Sequence, residues 1–256
     1  MKELLLALPA GRETGGRGFG LVPAHMAYRI GPGPRLLGIR LPQGLRGGLM
    51  LVDCAGFDGA GDPVGCCRQI LGECRRRCFR GIVCDFEGVP AGCLGGLVEI
   101  LDRNCAAQGW SLYVPESYAP HAPRARVLIP SALTHGTLER RLGEGVERYG
   151  AGRAALAVEW VREDFLLPAR GRGEPLSREG LEGQMERLEP AVFFDRGLCA
   201  HYYTYMKGPQ AHFVLFDTPK SIRAKLDAAQ RLGLTAALLP QPEVEEHLGE
   251  IFGPDP

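Results

Sequence analysis

The chain carries no excess charge of either sign: 30 Lys and Arg residues balance 30 Asp and Glu over 256 residues. With neutral balance and no basic stripe, nucleic acid is not an expected partner. No apolar run is long enough to cross a membrane, so no membrane partner is expected either. The run Leu4-Leu5-Leu6-Ala7-Leu8 is short for a secretory leader, and Glu3 works against one. It reads as a first strand or a terminal arm, and the protein is expected to be cytoplasmic. No Cys-x-x-Cys pair occurs among the nine cysteines, an odd number in a chain too long for disulfide stapling. Neither a metal nor a cofactor is expected. The thiols are expected to be reduced and to pack as small hydrophobes. Cys66, Cys67, Cys74 and Cys78 fall in one expected helix, with Cys67, Cys74 and Cys78 on a common face. There is no Gly/Ser linker and no solenoid repeat, so residues 1–256 read as a single domain. Tryptophan is scarce, with only Trp110 and Trp160.

What is present is a 45% hydrophobic chain of a length that suits one α/β barrel. Strand-like runs alternate with helix-like stretches, which predicts a parallel (β/α)8 architecture. Early strands are expected at 19–23 and 35–42, broken by a Gly/Pro turn at 31–34. A clearer strand follows at 48–53, then a helix over 64–79, a strand at 81–87 and a helix over 92–108. Strands at 110–114, 126–130 and 154–160 and a helix over 138–149 continue the series. A helix over 178–188 precedes two β-runs, 201–206 and 212–216, split by the hairpin signal Lys207-Gly208-Pro209-Gln210. That hairpin reads as a small insertion before the last helix, 221–232, and the last strand, 235–239.

The chemistry of such a barrel sits at the C-terminal ends of its strands. Asp53, Asp85, Glu87, Glu116, Ser131, Glu159 and Gln241 or Glu243 are placed there. Asp85 and Glu87 stand two residues apart at a strand end, so they share a face. Neighbouring carboxylates raise one another's pKa, and a protonated one beside an ionised one serves general acid catalysis. Ser131, Thr134 and Thr137 read as helix caps. His25, His121, His135, His201 and His212 lack ligand spacing and read as packing or hydrogen-bonding residues. Arg75-Arg76-Arg77 reads as a solvated helix face. Tyr203 and Tyr205 share one strand face, either in the core or lining the mouth. Asp217 reads as a helix start.

Two regions resemble the glycoside hydrolase family 18 barrels, above all their spore-cortex and spore-germination branch. Gly81-Ile82-Val83-Cys84-Asp85-Phe86-Glu87 is similar to the family's fourth-strand motif D-G-x-D-x-D-x-E. Ala157-Val158-Glu159-Trp160 through Asp164-Phe165-Leu166-Leu167-Pro168 is similar to the seventh strand and its loop. Tyr203-Thr204-Tyr205, His212 through Asp217 and Ser221-Ile222-Arg223-Ala224-Lys225 are similar to the closing segment. The resemblance implies cleavage of a glycan containing N-acetylhexosamine by a substrate-assisted retaining mechanism. Glu87 would then be the acid and Asp85 the partner of the substrate's acetamido N–H. Glu116, Glu159, Tyr203, Tyr205 and Asp53 are the expected substrate-binding residues.

The chain departs from that pattern at Arg80 and Val83, both Asp in the family. Ile129-Pro130-Ser131-Ala132 replaces the sixth-strand M-x-Y-D, so its tyrosine must come from Tyr113, Tyr203 or Tyr205 if it is replaced. Leu239-Pro240 stands where the eighth strand carries a Trp. Two alternatives follow. One is a barrel that no longer hydrolyses and binds a glycan or a protein partner. The other pairs Glu87 with Glu159 as acid/base and nucleophile, which requires carboxyl groups about 5–5.5 Å apart.

Overall fold

A computed structural model describes residues 1–11, 18–88, 92–133, 136–169 and 171–253. Eight parallel strands close into a barrel: β1 (Glu3–Pro9), β2 (Val22–Gly31), β4 (Leu49–Asp53), β5 (Gly81–Asp85), β6 (Ser111–Pro115), β7 (Arg126–Pro130), β8 (Ala154–Ala157) and β14 (Ala236–Pro240). Closure is made by β1, which pairs with β14 on one side and β2 on the other. The fold is the expected (β/α)8 type. The apolar run at the start is barrel strand one. The first early run is corrected to a longer strand, β2, most of which lies between the two expected runs, and the second shortens to β3 (Arg35–Gly38), folded back antiparallel on β2 through the turn at 31–34.

Alternation sets the interior. Leu5, Ala24, Leu51, Val83, Tyr113, Leu128, Ala155 and Ala236 fill the barrel. The intervening residues, such as Ile82 and Cys84 of β5, pack outward under the helices. At the N-terminal end Tyr113 donates to Glu3 (2.8 Å), and Arg126 pairs with the same carboxylate. That trio fills the floor of the barrel.

Sequence-local signals start the helices. Asp62 accepts from Val64 N and Gly65 N (both 2.9 Å) ahead of Pro63, opening α1 (Pro63–Arg77). Thr137 caps α3 (Leu138–Tyr149) as expected. Thr218 and Ser221 form a capping box on α5 (Pro219–Arg231). The helix α2 (Gly92–Gln108) keeps its expected bounds. Cys78 does not share the α1 face with Cys67 and Cys74: it is the exposed left-handed cap, with φ of 56°. Arg77 is not solvated. It is buried, and it donates to Glu73 (2.6 Å) and to the carbonyl oxygens of Pro42 and Leu45.

Between β8 and α5 the chain builds a second, antiparallel sheet. Its strands are β9 (Arg162–Leu166), β10 (Glu174–Pro175), β11 (Phe193–Asp195), β12 (Ala200–Lys207) and β13 (Gln210–Phe216), in the order β10-β9-β13-β12-β11. The expected hairpin is there, with Lys207 opposite Gln210, but it is the centre of five strands rather than a free insertion. The helix α4 (Arg178–Leu188) covers one face through Leu181, Met185 and Leu188.

All nine cysteines are free thiols, and Cys66, Cys67, Cys74, Cys84, Cys105 and Cys199 are buried. Burial pushes Cys67 up to about 11 and Cys66, Cys74 and Cys105 up to about 12, so these thiols stay protonated and unreactive.

Candidate active site

The fourth barrel strand, β5, delivers Asp85 to the barrel mouth, directly opposite Asp53 on β4. Phe86 turns the other way. It is buried in the outer core, with its ring 5.4 Å from that of Tyr118. Anchoring Phe86 outward leaves Asp85 and Glu87 on the mouth side, both open to solvent. Partial burial, and then the negative charges of Asp53 and Glu87, push the Asp85 carboxyl up. Three carboxylates from two adjacent strands thus share one electrostatic site.

Two residues that sequence reasoning overlooked complete it. Arg29, near the end of β2, donates from Nε to Asp53 Oδ1 at 2.7 Å, and Ala55 N donates to the same oxygen at 3.0 Å. Asp53 is therefore charge-compensated and anchors the loop after β4. Cys54, next in sequence, lies against the backbone of Glu87, and partial burial with the three carboxylates raises its thiol. Arg29 is hidden in the sequence because the expected early strand ends at Pro23, whereas β2 runs on to Gly31. Asp85 and Glu87 have no hydrogen-bond or ion-pair partner for their carboxylates among the described residues.

The other expected substrate-binding residues lie elsewhere or are already engaged. Glu116, just past β6, pairs with Arg141 of α3 and ties a short 3-10 helix (Glu116–His121) to it. Glu159, past β8, accepts from Ala132 N at 2.8 Å, while its own N–H donates to Ser131 Oγ at 2.9 Å. Ser131 is thus a bridge between strand ends rather than a helix cap. Tyr203 is fully buried against α4. Tyr205 donates to Asp164 (2.6 Å), which also meets His212 Nδ1 (2.9 Å). Tyr113 is held at the barrel floor by Glu3. None of these three tyrosines joins Asp85 in the mouth.

The histidines hold structural contacts: His25 with Gly47 O, His121 with Glu99, and His201 with Ser221 and Thr218. Thr134 and His135 lie outside the described residues. Among the described residues no group of three or more His, Cys, Asp and Glu is arranged to hold a metal.

Beside the mouth, a cleft of about 640 Å³ opens between the ends of β7 and β8 and the second sheet. Glu159, Trp160, Arg162, Phe165, Arg172 and Phe213 line it. Arg172 and its described neighbours Ala169 and Gly171 form one wall, and the carboxylates Asp85 and Glu87 are left uncovered.

The barrel fold is shared with solved glycoside hydrolases. A chitinase from Chromobacterium violaceum superposes with a TM-score of 0.70 at 16% identity, over 94% of each chain. The spore cortex-lytic enzyme SleL of Bacillus megaterium gives 0.65 at 15% identity, over 93% of this chain and 70% of that one. A family 18 chitinase from Cycas revoluta, solved with (GlcNAc)3, gives 0.65 at 14% identity over 98% of each. At such identities the likeness establishes the fold. These three are two chitinases and a spore cortex-lytic enzyme, the kinds of protein whose motifs the sequence resembles. No family model and no curated protein matches the sequence.

Proposed function

We propose that the chain is a glycan-cleaving hydrolase that acts on β-linked N-acetylhexosamine polymers with Glu87 as acid/base. One observation carries this reading: Asp85 and Glu87 stand uncompensated at the open end of the fourth strand, while the neighbouring acids Asp53 and Glu116 are paired with arginines. In the first step Glu87 gives a proton to the glycosidic oxygen as its bond to the anomeric carbon breaks. The substrate's acetamido oxygen forms the new bond to that carbon, and Asp85 accepts from the acetamido N–H. In the second step Glu87 takes a proton from water as the water oxygen attacks the anomeric carbon and opens the cyclic intermediate. The net reaction is hydrolysis with retained configuration.

A second reading, a barrel that binds a glycan or a protein partner without cleaving, is favoured by Val83 and by the tyrosines. Val83 sits in the barrel interior, and the three tyrosines that could replace the missing one are held elsewhere. Hydrolysis of an aryl chitobioside separates the two. The expected outcome is turnover by the natural chain and a loss of about 10²-fold or more in Glu87→Gln. Equal rates, or no turnover in either, would replace the first reading with the second.

A further inference from the structure

Three charged residues stand in one row across three neighbouring strands at the mouth. Arg29 of β2 is the register partner of Asp53 on β4, and Asp53 is the register partner of Asp85 on β5. Neighbouring strands lie about 4.8 Å apart, so charges carried in such a row act on one another at short range. The first two members are locked together. Arg29 Nε and Ala55 N both donate to Asp53 Oδ1, at 2.7 and 3.0 Å. The loop after β4 also packs on the arginine stem: a methyl group added to Gly56 would lie 3.3 Å from Arg29 Cδ. The Asp53 carboxylate is thus held between a side chain from the next strand and its own loop.

The groups around Asp85 are few. Glu87 comes from its own strand end, Asp53 and the Cys54 thiol from the end of β4, and Arg29 stands behind Asp53. On the β6 side Glu116 is turned to Arg141. Partial burial is the largest cause that pushes the Asp85 carboxyl up, and the charge of Asp53 comes next, ahead of Glu87. Among the described residues Arg29 is the cation paired with Asp53. A positive charge bonded to a negative neighbour weakens the field of that neighbour at a third group.

We propose that the Arg29–Asp53 pair is a positioning device for Asp85: Asp53 presents a fixed carboxylate beside it, and Arg29 offsets that charge so that Asp85 stays ionised to accept the acetamido N–H. The inference rests on the glycan reading of the mouth. It adds two residues that act through Asp85.

The test follows Asp85 itself. Its carboxyl carbon is observed by NMR in isotope-labelled protein, and its signal is assigned by its loss in Asp85→Asn. Arg29→Met is expected to raise the titration midpoint of Asp85 by about half a pH unit, and Asp53→Asn to lower it by about as much. The double variant should fall between the two, near the natural chain. Arg29→Lys keeps the charge and should also stay near the natural chain. With aryl chitobioside, the acid limb of kcat/KM should move with the Asp85 midpoint in every variant. An unchanged midpoint in a folded Arg29→Met overturns the device. So do single variants that move Asp85 in the same direction, or a lysine variant that behaves like the methionine one. Each of these outcomes leaves the hydrolase reading standing. Shifts of the expected signs in a chain that does not cleave aryl chitobioside support the action of the pair on Asp85 and remove the hydrolase reading instead.

Discussion

Lys225 Nζ lies 2.5 Å from Asp217 Oδ2, and both side chains are sealed from solvent. The lysine also reaches the carbonyl of Glu159 and the aspartate the N–H of Val161, so α5 grips the end of the seventh strand. Burial pushes the Asp217 carboxyl up, and the lysine and the Val161 N–H work against that. Asp217 thus does more than begin a helix; the cap itself is Thr218.

Removing one partner strands the other charge in the interior. Lys225→Met is expected to cost about 3–5 kcal/mol. The double variant Lys225→Met with Asp217→Leu should recover most of that loss. Urea unfolding of the three proteins checks both statements.

Asp85 predicts a pH-dependent stability effect. A carboxyl whose pKa is raised on folding favours the folded state most when it is protonated. The penalty is therefore absent below the ordinary aspartate range, grows as pH rises from there to the folded value, and is complete above it. Asp85→Asn removes the charge. Its Tm should exceed that of the natural chain by about 1–2 °C at neutral pH and match it near pH 3. A gain that persists in acid would assign the effect to packing. The same substitution should abolish turnover, since the amide brings no negative charge to the acetamido N–H as positive charge develops there.

Glu159 separates two hydrolytic mechanisms. Its carboxylate is occupied by the N–H of Ala132, a contact that a glutamine oxygen can also accept. Glu159→Gln should therefore slow aryl chitobioside hydrolysis by less than about tenfold, against 10²-fold or more for Glu87→Gln. A comparable collapse in both variants would support a nucleophilic Glu159.

Cys78 sits exposed in the left-handed region at the end of α1, a position that favours glycine. Cys78→Gly should raise stability by about 0.5–1 kcal/mol, read by urea unfolding. Thiol titration of the natural chain should find Cys78 reacting quickly, and the six buried thiols reacting only in denaturant.

Much of the frame was legible from local pattern. The alternation in Gly81-Ile82-Val83-Cys84-Asp85 sets Val83 and Asp85 on one face, and the structure places Val83 in the barrel interior and Asp85 at its mouth. Asp62-Pro63 and Thr218-Pro219 start helices wherever they occur, because capping is local. The second sheet was only half legible. Its β10 and β11 are two and three residues long, too short to show a period, and exist through pairing with distant strands. Tyr203 and Tyr205 were placed on a common face correctly. That α4 would cover this face depended on packing across more than a dozen residues.

The sequence by itself determined most of the barrel's strands and helices and brought Asp85 and Glu87 to a strand end, because side-chain alternation and capping act between near neighbours. Only the tertiary structure decided which acids keep a free charge. Arg29 reaches Asp53, Arg141 reaches Glu116 and Lys225 reaches Asp217, through barrel closure and helix docking. Ion pairing acts over a few ångströms, and that proximity is set by strand register and helix packing rather than by sequence distance.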